Sequence, residues 1–313
     1  MEPTHIRAHS SRVNAVRFTP DGLYVVSAGA DHQVCIHALR DGRLIRRLIG
    51  HSEAVYDVAV TPNGRYIVSG SADGTVRVWH SATGREVTQL KGPDSRIVCV
   101  DISPNGRYVV AGDGCLWVWR LPDFTLTHCL QPSSEYGWAM RVHVAAITPD
   151  SRAVLIGGER RTPIYTLDLR TGETLDERED AGKSADTLAV SPDGRLAAAW
   201  CDGGDGRSWG GLQVWSRLSG QRLFSSEGYA YALAFTMDSN YLISIEEREI
   251  IVYIAETGLE IVRRPCAQQI LCLAVADDGH RILVGNEDGS VTLFALADVL
   301  SGQASDPLQN MTA

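Results

Sequence analysis

No apolar run in this chain approaches the roughly 20 residues that an α-helix needs to cross a bilayer, which excludes an integral helical membrane protein. The start, MEPTHIRAHS, has no apolar core behind a basic end. No secretory leader is therefore expected, and the chain is expected to work in the cytoplasm. Cationic charge is scarce as well: 29 Lys plus Arg against 38 Asp plus Glu leave a net charge of −9. Nucleic-acid binders draw much of their affinity from neutralising phosphates, so this balance argues against DNA or RNA as a partner. Paired CxxC motifs are missing too. The seven cysteines, Cys35, Cys99, Cys115, Cys129, Cys201, Cys266 and Cys272, are odd in number and mostly flanked by β-branched or aliphatic residues. They read as reduced thiols that pack like small hydrophobes, not as a disulfide framework. Also missing are GxGxxG, a GxxxxGK[ST] phosphate loop and HExxH, and no GxSxG nucleophile turn is expected, so no catalytic constellation, cofactor or metal is expected.

What the chain does contain is a repeat, which overrides the two-domain expectation for 313 residues. A Pro-centred turn follows a short apolar stretch at FTPDG, VTPNG, ISPNG, ITPDS and VSPDG, with two decayed copies, FTMDS and VADDG. The anchors Pro20, Pro62, Pro104, Pro149, Pro192, Met237 and Asp277 lie 40 to 45 residues apart. Within each unit come an alternating stretch (VNAVRF, VYDVAV), the turn, a second short strand (YVVSAG, YIVSGS), and a third strand with an aromatic near its end (VRVWH, LWVWR, LQVWS, IIVYI). A Gly turn and a fourth strand close the unit. Short Val- and Ile-rich strands between turns every 8 to 12 residues predict an all-β array of seven four-stranded sheets.

This grammar resembles the WD-repeat β-propeller family over about residues 5–295. The best copy, GHSEAVYDVAVTPNGRYIVSGSADGTVRVW, carries the family's Gly-His start and terminal Trp. The resemblance implies a seven-bladed propeller of four-stranded antiparallel blades at residues 1–296, followed by a tail at 297–313. It also implies a buried relay within a blade, complete only in the second unit, through His51, Asp73, Trp79 and either Ser69 or Ser71. Unit one keeps His9, Ser27 and Asp31 but has His37 where Trp would stand. The last unit has no good fourth strand, whereas THIRAH near the start resembles one. Residues around His5 to Arg7 are therefore expected to complete the last blade and close the ring.

The face bearing the loops before the first strand and after the second commonly binds peptides in this family. Carried over, its contact positions six residues before each anchor are Asn14, Tyr56, Val98, His143, Asp186, Tyr231 and Leu271. Those eight before are Arg12, Ala54, Arg96, Arg141, Ser184, Tyr229 and Gln269. A third set includes Ala30, Ala72, Gly112, Cys201 and Glu287. Two stretched loops on the same face would add Tyr136, Trp138 and Trp209. Tyr, Trp and Arg dominate binding hot spots, so a partner-binding face is expected there, although either loop Trp could simply pin its loop to the rim.

Other features read as structural. Asp202–Gly211, DGGDGRSWGG, lacks the alternating ligands and closing Glu of a calcium loop and reads as an insertion between strands. The pairs His5/His9 and His32/His37 have no accompanying ligand cluster. Arg46-Arg47 and Arg263-Arg264 fall on fourth strands, where charge discourages edge pairing, and read as solvated edges, with an acidic partner or RNA as the lesser alternative. The expected function is a non-enzymatic scaffold for a protein or peptide, with no nucleic acid or membrane partner, monomeric within a larger assembly. The alternatives are a ligand sensor or enzyme at the channel mouth, with Asp186 and His143 as its acid–base pair, and a regulatory module of a signalling complex.

Overall fold

The computed structural model describes residues 4–90, 95–130, 141–158, 163–178, 184–201 and 210–301. They form seven four-stranded antiparallel sheets set around an axis. We number the sheets as blades 1 to 7 by their inner strands: Val13–Phe18, Val55–Val60, Cys99–Ile102, Val142–Ile147, Ala185–Val190, Ala232–Phe235 and Ile270–Val275. Each inner strand packs beside those of the two neighbouring blades, blade 7 beside blade 1 included, so the ring is continuous.

The core lies between blades. Val76, Val78 and Leu90 of blade 2 pack with Val100, Val109 and Trp119 of blade 3, and clusters of the same kind fill the other seams. Each sheet is thus buried on both faces, which explains second strands as uniformly apolar or small as Ala153–Gly158 and Leu196–Cys201.

The Pro-centred turns share one hydrogen-bonding scheme. Thr19 Oγ1 donates to Asp21 Oδ1 at 2.6 Å, the Leu23 amide donates to the same oxygen, and the Tyr24 amide returns to Thr19 Oγ1 at 3.0 Å. Gly22 then adopts φ +65°, as its lack of a Cβ permits. Two units carry Ser at that position, Ser151 at φ +59° and Ser239 at +60°. There the hydroxyl adds a bond to another blade: the Asn105 amide donates to Ser151 Oγ and the Asp193 amide to Ser239 Oγ.

Ring closure follows the sequence expectation. Thr4–Arg7 pairs antiparallel with Ser290–Ala295 in the register Thr4↔Leu293 to Arg7↔Ser290, and becomes the outer strand of blade 7. The amides of Ala8 and His9 both donate to the carbonyl of Gly289. Beyond the ring, Leu296–Leu300 forms a short helix whose Leu296 and Val299 are buried against blades 6 and 7.

One edge departs from expectation. Arg264 is buried rather than solvated, its guanidinium 5.1 Å from the Phe294 ring centre and donating to the Asp298 carbonyl. The helix covers this stretch of the edge, and the stacked, hydrogen-bonded guanidinium tolerates that cover. Arg46 bridges blades by donating to the Ala82 carbonyl, while Arg263 pairs with Glu249 and Glu260.

Candidate functional site: the loop face

A repeated irregularity creates this face. Where each inner strand begins, its register against the second strand slips by one residue. Val13 pairs with Gly29 and Ala15 with Ala28, which leaves Asn14 as the extra residue. The same slip isolates Tyr56, His143, Asp186 and Leu271 in blades 2, 4, 5 and 7. In blades 3 and 6 the amides of Val98 and Tyr231 bond to the carbonyls of Gly112 and Ile245, which also pair with Cys99 and Ala232. A bulge residue is freed from the pleat and its side chain is re-aimed. All seven residues of the first expected set sit at this position. Geometry places them there whatever their chemistry.

Their neighbours divide the face in two. Over blades 1 to 4, Asn14 donates to the Val55 carbonyl at 2.8 Å, and the Arg96 guanidinium lies 5.8 Å from the Tyr56 ring centre. Arg12, Arg96 and Arg141 are exposed and His143 is half-buried. Over blades 5 to 7 the side chains form a run. The Tyr229 hydroxyl reaches Asp186 Oδ2 at 3.5 Å, the Tyr229 and Tyr231 ring centres lie 4.8 Å apart, and Gln269 Nε2 reaches the Tyr231 hydroxyl at 3.5 Å. Burial and the Asp186 carboxylate raise the Tyr229 pKa, so its hydroxyl stays protonated. The Glu287 amide donates to the Gln269 carbonyl. Tyr136, Trp138 and Trp209 lie outside the described residues.

Sequence reasoning missed Trp200, whose ring centre is 4.3 Å from that of Tyr229 and whose indole N–H donates to the Gly228 carbonyl. Its signal was available: the corresponding residues are Ala28, Gly70, Gly112, Gly157 and Gly285 in five other blades, so an indole there is an outlier. The expectation that GxSxG is absent is corrected by the string GRSWG at Gly206–Gly210, which spells it. Its residues 206–209 lie outside the described residues, between the strands Leu196–Cys201 and Gly211–Ser216.

Deeper along the axis, carboxylates stitch the inner strands together. Asp57 accepts from Arg17 of blade 1 at 3.2 Å and from the Val100 amide of blade 3 at 3.0 Å. Asp101 accepts from the Ile147 amide of blade 4 at 2.9 Å. Burial raises both pKa values, Asp101 to about 6. These acids were not anticipated. They occupy inner-strand positions that neighbouring blades fill with apolar residues. Among the described residues, no three His, Cys, Asp or Glu side chains converge to hold a metal ion.

Below the face, His51 Nδ1 meets Asp73 at 2.9 Å, His51 Nε2 meets Ser69 Oγ at 2.8 Å, and the Trp79 indole donates to Ser69 at 2.8 Å. Ser69 is thus the hydroxyl of the relay, while Ser71 donates to the Ala54 carbonyl at the loop. Hydrogen bonds from Thr75, His51 and the Ser52 amide outweigh burial and hold the Asp73 pKa down at about 2. Blade 1 repeats the pattern through His9, Asp31 and Ser27, but its His37 Nδ1 is buried without a partner.

No curated protein matches the chain. The family described as WD domain, G-beta repeat matches three times, at residues 2–37, 42–80 and 84–120. Those matches cover the blades that carry the relay and the strongest turn grammar, and blades 4 to 7 keep the same strand order and bulge. The chain is a seven-bladed β-propeller, and its first three blades match the WD-repeat family.

Proposed function

We propose that this protein is a non-enzymatic scaffold that captures a protein or peptide partner on its loop face in the cytoplasm. Propellers of this family generally serve protein interaction, which supplies the class of function. One observation supports the face itself: side chains from three consecutive blades, Asp186, Tyr229, Tyr231 and Gln269, meet in one run beside exposed loop backbone. Bulges on a closed ring hold such residues in place before any partner arrives, which lowers the ordering cost of binding. Arg96, Arg12 and Arg141 on the other half of the face offer charge-assisted bonds to acidic or carbonyl groups.

The test compares two faces of one folded protein. Partners are recovered from native cells with the wild type, with Arg96→Ala/Tyr231→Ala on the loop face, and with Arg65→Ala/Arg107→Ala at the Pro-centred turns on the opposite face. Loss of capture in the loop-face variant alone, with an unchanged melt, supports the reading. Loss in the turn variant alone overturns it.

A further inference from the structure

The two halves of the loop face differ in chemistry, and the difference specifies what the blade 5 to 7 half accepts. Tyr229 is 44% exposed, unusual for an aromatic side chain seated on other rings. Trp200 supports it from below at 4.3 Å between ring centres, and Tyr231 flanks it at 4.8 Å with an interplanar angle of 70°. Two backing rings and the Gly228 carbonyl, held by the Trp200 indole, fix Tyr229 while leaving part of its ring open to solvent.

The loop segments near this aromatic group carry more acid than base. The described segments 184–186, 227–231, 246–249, 266–269 and 286–290 contain Asp186, Glu227, Glu246, Glu247, Glu249, Glu287 and Asp288 against one cation, Arg248. Arg263 pairs with Glu249 at 2.7 Å and with Glu246 at 3.9 Å, which leaves Asp186, Glu227, Glu247, Glu287 and Asp288 as the excess. Glu246 lies beside Gly228, the residue preceding Tyr229: a Cβ built there would fall 3.0 Å from its Oε2. The exposed cations Arg12, Arg96 and Arg141 belong to blades 1, 3 and 4.

We propose that this half of the loop face binds a basic, arginine-bearing peptide segment, with one guanidinium stacked on the open face of Tyr229 and its N–H groups turned to Asp186. An aromatic face attracts a cation through its quadrupole, and a planar guanidinium gains from stacking and hydrogen bonding together. The surrounding carboxylates speed the encounter and repel acidic segments. This inference rests on the loop-face reading above and narrows it to one partner chemistry.

The test uses the full chain and three capped nonapeptides in which Ser alternates with Arg, with Asp or with Gln, titrated by calorimetry. The Arg peptide binds saturably, and its affinity falls steeply between 50 and 200 mM salt, concentrations chosen to span strong and weak screening as for other charge-steered complexes. Tyr229→Leu weakens it about tenfold while Tyr229→Phe does not, because the π-face and not the hydroxyl does the stacking. The arginine side-chain methylene protons shift upfield on binding to wild type but not to Tyr229→Leu, a signature that charge alone does not produce. Melting curves of each variant show that it is folded, and Asp186→Asn provides a second variant that leaves the rings in place.

No binding of the Arg peptide, or binding indifferent to both Tyr229→Leu and Asp186→Asn, overturns the inference. Binding of the Asp peptide in a manner lost in Arg96→Ala would overturn it too, yet would leave the loop face as the site of capture. Failure of both halves, with capture moved to the turn face, removes the broader reading as well.

Discussion

The imidazole of His5 and the hydroxyl of Thr292 meet at 3.0 Å although 287 residues separate them in the chain. Asn286 donates to the same hydroxyl at 3.0 Å, and Ile6, the next residue of the closing strand, is buried among Val13, Leu283 and Val291. Removing residues 1–8 strips blade 7 of its outer strand and exposes the edge of Ser290–Ala295. The melting temperature should fall by about 10 °C, given several kcal/mol of lost packing and ladder bonds in a domain of this size. An unchanged melt would show that the ring closes without this strand.

Gly289 is a tight point of the same seam. It sits at φ +87°, and a Cβ there would press against the carbonyl oxygens of His9 and Ser11. Gly289→Ala combines a disfavoured backbone conformation with a clash against rigid backbone, and should cost about 2–3 kcal/mol in chemical denaturation. Gly114→Ala, with nothing within 4 Å of the added carbon and no positive φ, is the control and should stay within about 0.5 kcal/mol of wild type.

Two buried serines at equivalent positions should respond oppositely to the same change. Ser69→Ala leaves the Trp79 indole and His51 Nε2 buried without a partner, at a cost of about 3 kcal/mol. Ser244 Oγ in blade 6 has no hydrogen-bond partner at all. Ser244→Ala removes an unsatisfied group and should be neutral or stabilising by about 1 kcal/mol. Urea midpoints of the two variants settle the contrast.

His37 gives stability a pH dependence of calculable sign. Burial, with smaller contributions from His9 and Arg47, lowers its pKa to about 4. The unfolded chain therefore binds the proton first, and stability is lost as pH falls from about 6.5 towards 4, by up to about 3 kcal/mol. His51, also lowered mainly by burial, acts in the same direction. Asp101, raised by burial to about 6, acts oppositely: its folded form holds the proton more tightly, so acidification over that window favours folding. His37→Leu should flatten the acid limb, whereas Asp101→Asn should steepen it. Thermal melts from pH 7.5 to 4 read both slopes, and a His37→Leu curve parallel to wild type would contradict the assignment.

The ring was legible in the sequence because its determinants are local and repeated. Pro20, Pro62 and Pro104 mark turns whose hydrogen bonds close within five residues, so spacing alone locates the strands. Closure was legible through THIRAH because an outer strand has a recognisable alternation even when its partner lies at the other end of the chain. The loop face was legible only as positions. Counting back from the anchors finds Tyr56, Asp186 and Tyr231, but not that a register slip re-aims them. It also fails to pair Tyr229 with Trp200, a contact between residues of different blades. Asp57 and Asp101 escaped notice for the same reason: each bridges to another blade through one backbone amide, and no pattern within a single unit encodes that partner.

The seam at Thr4–Arg7 also constrains how the chain is made. Thr4–Arg7 finds its partner strand last, because Ser290–Ala295 emerges after the strands of the other six sheets. Until then Val13 and Cys272 cannot pack together, and both ends of an unfinished arc present an apolar sheet face that the closed ring buries. A chain halted before residue 290 should therefore leave an arc whose open sheet faces can pack against those of a second copy, so slow synthesis of the final sheet should lower the yield of folded protein.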